Sequence, residues 1–159
     1  MPVPLKEDYN RRQKLIELIE KPLWTITGKC AKDTLIPDLV SICKVNDQHQ
    51  FIIFDAKYYN AHLEKGIVPT GQPGIESITK QYLYQLAYQQ FIEDHNFSSV
   101  KNCFLLPTEN NEIEDKGEVR MEMLSNLGLQ DIKIRLIPAT MAYDLYLSGS
   151  KMDMERLDL

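Results

Sequence analysis

The sequence predicts an α/β sandwich with a central mixed β-sheet flanked by helices. Short apolar runs typical of buried strands alternate with segments of helical periodicity, in the order helix, hairpin strands, helix, strand, helix, strand, helix. The chain has 159 residues, of which 43% are hydrophobic and 26% are charged. This length and composition are ordinary for a globular protein with a buried core. We therefore expect a single domain over residues 1–159.

The chain opens with a predicted amphipathic helix over residues 7–20. At 100° per residue, Glu20 lies at the edge of the apolar stripe, whereas Glu17 lies well away from it. A short strand with a turn at Gly28 is expected over residues 24–32.

The next two strands are predicted to form a hairpin. The first covers residues 35–45 and contains Asp38, and Asn46, Asp47 and Gln48 supply the turn. The second begins with the apolar run 51–54, typical of a strand buried on both faces, and continues into Asp55, Ala56 and Lys57. Residues two apart on a strand project to the same side, so Asp55 and Lys57 can share a site, and the hairpin would set Asp38 beside them. A solvated ion pair at a strand end is the alternative.

Residues 62–74 contain three glycines and two prolines, which predicts a loop. This loop could contact DNA or could be a plain surface connection. The longest predicted helix follows at 75–94, and its polar and aromatic residues cluster on one face: Gln81, Tyr84, Gln85 and Tyr88. Leu83, Ala87 and Phe91 form an apolar spine at spacing four. The polar face is expected to meet water, and a packed stripe with internally bonded hydroxyls is the alternative.

The remaining chain supplies two strands and their connections. Residues 100–107 and 132–138 predict buried strands, and an exposed acidic loop is expected over 109–116. A short helix over 121–127 should stop at Gly128. A closing helix is predicted over 139–147. Residues 148–159 are expected to form a flexible, frayed tail.

Several of these segments carry a family resemblance. Asp38 in IPDLV followed by Asp55 and Lys57 in FDAK resembles the core motif of PD-(D/E)xK nucleases. The wider pattern resembles the LlaJI family of restriction endonucleases, and its segments are PLW at 22–24, LIPDLV at 35–40, IIFDAKYY at 52–59, ITKQYLYQLAY at 78–88, CFLLP and IRLIPA. The resemblance implies a restriction-endonuclease-like sandwich and a nuclease function.

The activity implied by the resemblance is Mg²⁺-dependent hydrolysis of a DNA phosphodiester. Asp38 and Asp55 would bind Mg²⁺, since this cation prefers oxygen ligands. Lys57 would either activate or orient the attacking water or hold the phosphate as a cation. Enzymes of this class often place a Gln or Lys on the following helix, which implies Gln81, with Lys80 or Gln85 as substitutes.

The same resemblance implies a metal-ligating glutamate on the first helix. Glu20 is the better placed candidate, Glu17 the other, and solvated surface charges are the alternative. Members of the family have more chain ahead of the Pro-x-Trp element, so we expect truncation at the N-terminus, with the first ligand then lying outside this chain. A catalytically impaired nuclease-like module, acting in DNA positioning or subunit interaction, is the alternative function.

The charge of the chain bears on its partners. A net charge of −5 offers little phosphate neutralisation, so we expect double-stranded DNA to be bound with help from a partner subunit or a homodimer. No GxxxxGK[ST] motif is present, so any NTP-driven step would come from a partner.

Other residues limit the class of protein further. The three histidines form no ligand cluster, and the three widely spaced cysteines are expected to be reduced thiols. The sequence shows neither a membrane-length apolar run nor a signal peptide, so we expect a cytoplasmic protein without a membrane partner.

Overall fold

The structure is a computed structural model that describes residue 15 and residues 17–159. Its strands are β1 (Leu23–Trp24), β2 (Lys29–Cys30), β3 (Leu39–Val45), β4 (Gln48–Ala56), β5 (Ser99–Thr108), β6 (Glu114–Val119) and β7 (Ile132–Pro138). Its α-helices are α1 (Ile75–Ala87), α2 (Gln89–His95) and α3 (Ala139–Ser148). In the same part of the chain, short 3-10 helices cover Glu122–Leu127 and Met154–Leu157. The helix predicted over residues 7–20 lies largely outside the described residues.

A five-stranded mixed sheet forms the centre of the molecule, with the order β3-β4-β5-β7-β6. β3 and β4 are antiparallel, β4, β5 and β7 run parallel, and β6 is antiparallel to β7. The strands β1 and β2 form a separate hairpin around Gly28. The predicted α/β class with a mixed sheet is confirmed. Because β4 and β5 are parallel, their carboxyl ends meet at the same edge of the sheet.

The two faces of the sheet are covered by different elements. Phe51 of β4 packs on the buried side chain of Tyr88, next to the end of α1. Phe54, on the opposite face of the same strand, packs with Leu157 near the C-terminus. These contacts follow from the period of two along a strand, which directs alternate side chains to opposite faces. No helix in the part of the chain described here is long and apolar enough to cross a membrane.

The buried face of α1 is its polar and aromatic face, which carries Gln81, Tyr84 and Gln85 and is continued by Tyr88 just after the helix. Leu83, from the predicted apolar spine, is exposed. The expectation that the amides and phenols meet water is therefore wrong, and the alternative of a packed stripe is confirmed. The Tyr88 hydroxyl donates to the carbonyl of Leu15 at 2.9 Å, and that of Tyr84 donates to the carbonyl of Ile36 at 3.0 Å. These bonds offset the loss of water around the buried hydroxyls.

The segment predicted as one helix over 75–94 forms two helices. Tyr88 separates α1 from α2, with φ −94° and ψ 1°, outside the α-helical range. Its amide donates to the carbonyl of Gln85, a bond of the 3-10 type that tightens the last turn of α1. The break is thus a one-residue turn at a buried tyrosine.

The strand β6 begins at Glu114 and includes the last three residues of the acidic loop predicted over 109–116. Its sequence, EDKGEV, has no apolar alternation, because β6 is an edge strand in which no residue is fully buried. Charged pairs join it to β7: Asp115 lies opposite Arg135, and Glu118 lies opposite Lys133. A bulge between Asp115 and Glu118 contains Gly117 at φ +79°. Cross-strand charge pairs therefore take the place of an apolar pattern in this strand.

Within the expected tail over residues 148–159, the part from Met152 onward packs against the sheet instead of fraying. The 3-10 helix Met154–Leu157 lies in it, and the Leu157 side chain is 0% exposed. Arg135 of β7 donates from Nε to the carbonyl of Leu157 and from Nη2 to that of Asp158, both at 2.6 Å. A buried leucine and charge-assisted bonds to its backbone hold the segment in place.

Candidate active site

The β3–β4 hairpin positions two carboxylates side by side. Asn46 and Asp47 form its turn with φ values of 50° and 62°, the left-handed values that a tight two-residue hairpin turn requires. The register from this turn pairs Leu39 with Phe54, so that Asp38 and Asp55 occupy the next opposed positions. Asp38 Oδ2 accepts a hydrogen bond from the amide of Ala56 at 2.9 Å.

Asp55 is buried where β4 emerges from the core. Its Oδ2 forms an ion pair with Lys57 Nζ at 2.8 Å. Burial raises the pKa of Asp55, and the hydrogen-bonded carboxyl of Asp38 raises it further, whereas Lys57 acts in the opposite direction. The structure thus brings Asp38, Asp55 and Lys57 together at one end of the sheet, with the two carboxyl groups beside the Lys57 ammonium.

Lys57 is largely enclosed and lies at the edge of this cluster. Its amide donates to the carbonyl of Leu105, which attaches the chain beyond β4 to β5. Burial acts to lower the pKa of Lys57, but the hydrogen bond and charge of Asp55, with smaller contributions from Tyr59 and Asp38, raise it above its ordinary value. Lys57 is therefore a cation at neutral pH and compensates part of the negative charge of the two carboxyls.

Tyr84 lies near the cluster, although the sequence predicted only that it lies on one face of a helix. Burial raises its pKa to about 12, and the charges of Asp55 and Asp38 contribute to the shift. Its ring lies in the core formed by α1 and the hairpin strands. Its position one helical turn after Gln81 was the available signal. Tyr84 therefore stays protonated, as a neutral hydroxyl near the cluster.

Gln81 is fully buried between α1 and the sheet. Its Nε2 donates to the carbonyl of Ile53 at 2.9 Å and to Oδ1 of Asn102 at 3.2 Å. Asn102 Nδ2 in turn donates to Oε1 of Gln85 at 2.7 Å. The Oε1 atom of Gln81 has no hydrogen-bond partner within the described part of the chain. This buried acceptor is available to a small donor such as water.

Glu17 and Glu20 are both exposed. Glu20 lines a separate cleft of about 1130 Å³ between residues 18–23 and α2, to which Asp38 and Asp55 do not contribute. Among residue 15 and residues 17–159, no three His, Cys, Asp or Glu side chains are grouped so as to hold a metal ion. The structure therefore brings two predicted carboxylates together and does not bring Glu20 to them.

The sheet order and the layers of helix and C-terminal segment around it define a protein with a restriction-endonuclease-like fold. The chain belongs to the LlaJI restriction endonuclease family, whose sequence model matches residues 6–145. This match includes all three clustered residues and Gln81.

The chain is also similar to component YdjA of the type II restriction enzyme BsuMI of Bacillus subtilis (strain 168). The two sequences are 29% identical over 158 residues, and the alignment covers 96% of this chain and 32% of the relative. The chain thus spans about a third of the length of that protein. Comparison with solved structures found no match.

Proposed function

We propose that this chain is a Mg²⁺-dependent DNA endonuclease and acts as the nuclease component of a LlaJI-like restriction-modification system. The observation that carries the proposal is the cluster of Asp38, Asp55 and Lys57 at the end of the hairpin strands. Family membership and the likeness to a restriction enzyme component support the same function.

The donor set fits a hard divalent cation. Two adjacent carboxyls lie beside the Lys57 ammonium, and burial opposes the charge of Asp55, so a divalent cation bound by both acids would stabilise their charged forms. Asp38 and Asp55 would hold Mg²⁺, which when bound supplies a more acidic water and charge compensation at the phosphate. Glu20 is not grouped with these two acids, and its proposed role as a third ligand is tested separately below.

Two further side chains would act on the reacting groups. Lys57, as a cation, would hold a non-bridging phosphate oxygen or orient the attacking water; its raised pKa favours the cationic role. Gln81 would accept a hydrogen bond from the water through its buried Oε1, which has no partner among the described residues. Its Nε2 is held by Ile53 and Asn102, so the direction of the acceptor is fixed.

A catalytically impaired module that positions DNA or binds another subunit is the second candidate. It is favoured by the absence of a third ligand beside the two carboxylates among residue 15 and residues 17–159, since a metal held by two protein ligands binds less tightly than one held by three. The net charge of −5 agrees with a DNA contact that depends on a partner. We propose double-stranded DNA as the substrate and either a DNA-recognising or NTP-driven subunit or a second copy of the chain as the partner.

Plasmid nicking in Mg²⁺ separates the two candidates. We expect Asp55→Asn to abolish nicking, because the amide keeps the shape of the side chain but removes the charge that binds the cation. Asp47→Asn is the matched control, since Asp47 is an exposed acid in the turn of the same hairpin. Thermal unfolding of each variant verifies that the fold is retained.

The outcomes assign the residues. Nicking by the Asp55→Asn variant at the wild-type rate would show that Asp55 is a structural acid and contradict its place in the active site. A wild-type chain that binds DNA without nicking it would contradict the nuclease proposal and favour the impaired module. Glu20→Gln forms a separate arm. Unchanged nicking would remove Glu20 from the ligand set, and a raised Mg²⁺ requirement would retain it.

A further inference from the structure

A cleft of about 710 Å³ opens at the carboxyl ends of β4, β5 and β7. Tyr58 and Tyr59, which directly follow Lys57, line one side of it, and Thr108 and Asn110 at the end of β5 line another. The cleft therefore begins one residue beyond the candidate active site. Its size lies within the range of small-molecule sites in proteins.

The charges of the cleft disfavour a phosphate group. Glu64, Glu109 and Glu114 contribute three carboxyls, and Lys116 is the lysine in the lining. The charge of Lys116 is already compensated, because its Nζ lies 3.0 Å from Glu114 Oε2. A ligand that carries its negative charge inside this cleft would be repelled, so an uncharged polar ligand fits better.

The opposing sides of the cleft are held in place. Glu114 Oε1 accepts hydrogen bonds from Thr108 Oγ1 at 3.1 Å and Asn110 Nδ2 at 2.6 Å. On the other side, His62 and Thr70 form an antiparallel bridge, with bonds of 2.8 and 3.3 Å. The cleft is thus largely formed before any ligand enters, which lowers the entropy lost on binding.

Tyr58 presents an aromatic surface at this position. Its side chain is 91% exposed although it directly follows the enclosed Lys57. An exposed aromatic ring beside a phosphate-binding group is the arrangement with which proteins stack a base of single-stranded nucleic acid. Asn60, also exposed in the lining, offers an amide to the polar edge of a base.

We propose that this cleft binds an unstacked nucleobase of the substrate strand, with the Tyr58 ring as its stacking surface. The assignment rests on the proposed nuclease function, in which Lys57 holds the neighbouring phosphate. The base would enter the acidic cleft, and its phosphate would stay outside at Lys57. The substrate is then a DNA strand with at least one base out of the helical stack.

Binding of short labelled oligonucleotides, measured by anisotropy with EDTA present, tests the assignment with the full chain. The probes are a single strand and the same strand with central abasic sites. We expect Tyr58→Ala to weaken binding of the base-bearing strand by at least about fivefold and to leave binding of the abasic strand unchanged. Tyr58→Phe should retain the affinity. Tyr146→Ala is the matched control, because Tyr146 is 82% exposed and lies on α3, outside the cleft.

The assignment would be overturned if Tyr58→Ala weakened binding of both strands equally or of neither. It would also be overturned if Tyr146→Ala lost as much affinity as Tyr58→Ala, or if the wild-type chain bound neither strand. If the chain binds a duplex with one unpaired base more tightly than a fully paired duplex, the assignment is supported and the base is one extruded from a duplex. If it prefers the single strand alone, the assignment is supported and the base comes from single-stranded DNA. Nicking of plasmid by the wild-type chain reports on the nuclease function separately. Nicking without base preference contradicts only the cleft, and base preference without nicking contradicts only the nuclease.

Discussion

Arg135 occupies a position at which an arginine is uncommon, the buried face of a central strand. It is 2% exposed, and its guanidinium donates to backbone carbonyls of Leu157 and Asp158 and to the carboxylate of Asp115 at 2.7 Å. Charged groups are buried in proteins where such partners replace their water. One side chain thus joins β7 to both the edge strand and the C-terminal segment.

We expect Arg135→Met to lower the free energy of unfolding by about 3–5 kcal/mol, since the buried carbonyls and Asp115 lose their donor. Lys133→Met is the control, because Lys133 lies on the same face but is only half-buried and pairs with Glu118 at 3.5 Å. This control should change the stability by less than about 1 kcal/mol. Urea unfolding monitored by circular dichroism measures both values. Equal effects of the two substitutions would contradict the anchoring role of Arg135.

At single positions, the direction of a side chain could be predicted from the sequence where the period of two along a strand applied. The hydrogen-bond partners of polar groups could not be predicted where those partners are distant in sequence. The position of Asp55 and Lys57 on one side of β4, and of Asp38 beside them, followed from strand geometry. The hydrogen bonds of Gln81 to Ile53 and Asn102 join residues 28 and 21 positions away. Such contacts depend on tertiary packing, which local periodicity does not encode, so the sequence offered the burial of this amide only as an alternative and did not identify its partners.

The loop between β4 and α1 is closed at its base by a glycine. Gly71 has φ +66°, and a Cβ atom there would lie 2.2 Å from the carbonyl oxygen of Asn60. The bridge between His62 and Thr70 lies directly inside this contact. The loop therefore depends on a residue without a side chain at the point where its two ends meet.

Gly71→Ala should destabilise the protein more than Gly66→Ala does. Both positions have positive φ, so both variants carry left-handed backbone strain of about 1–2 kcal/mol. A Cβ at Gly66 meets nothing within 4 Å, whereas at Gly71 the backbone of Asn60 must shift. Thermal unfolding of the two variants gives the comparison. A melting temperature for Gly71→Ala at or above that of Gly66→Ala would show that the loop does not depend on this contact.

Among the elements, strands with apolar runs were predicted and polar elements were not. The runs in β4, β5 and β7 identified the interior strands of the sheet. The edge strand β6 is held by charge pairs with β7, and the C-terminal 3-10 helix is held by Arg135 and Leu157. Neither has a local hydrophobic period. Their structure depends on partners distant in sequence, and for this reason the sequence suggested a loop and a tail.

The pH dependence of stability reflects buried groups on both faces of the sheet. Burial raises the pKa of the Cys103 thiol to about 12, and burial with the nearby carboxylates raises that of Tyr84 to about 12. A raised folded-state pKa means that the folded state retains the proton longer than the unfolded chain. The contribution of each group is therefore complete below its unfolded pKa and is lost as pH rises toward 12.

We expect the free energy of unfolding to fall above about pH 9, where thiols of the unfolded chain begin to ionise, with a steeper fall above about pH 10 as tyrosines join them. The slope contributed by each group approaches about 1.4 kcal/mol per pH unit. Cys103→Ala should flatten the dependence between about pH 9 and 10. Chemical denaturation over this range measures it, and an unchanged slope in Cys103→Ala would assign the loss of stability to other groups.

The hairpin that carries Asp38 and Asp55 also restricts how its length can change. Seven residue pairs separate the Asn46-Asp47 turn from the two acids, which stand seventeen positions apart in the sequence. Inserting one residue in a single strand would turn one carboxylate to the opposite face of the sheet. Adding one residue to each strand, at opposed positions, would turn both acids to the opposite face together. The two carboxylates would then stay adjacent. Active relatives of this chain should therefore keep an odd spacing between these acids wherever the two-residue turn is retained, even if their hairpins are longer or shorter.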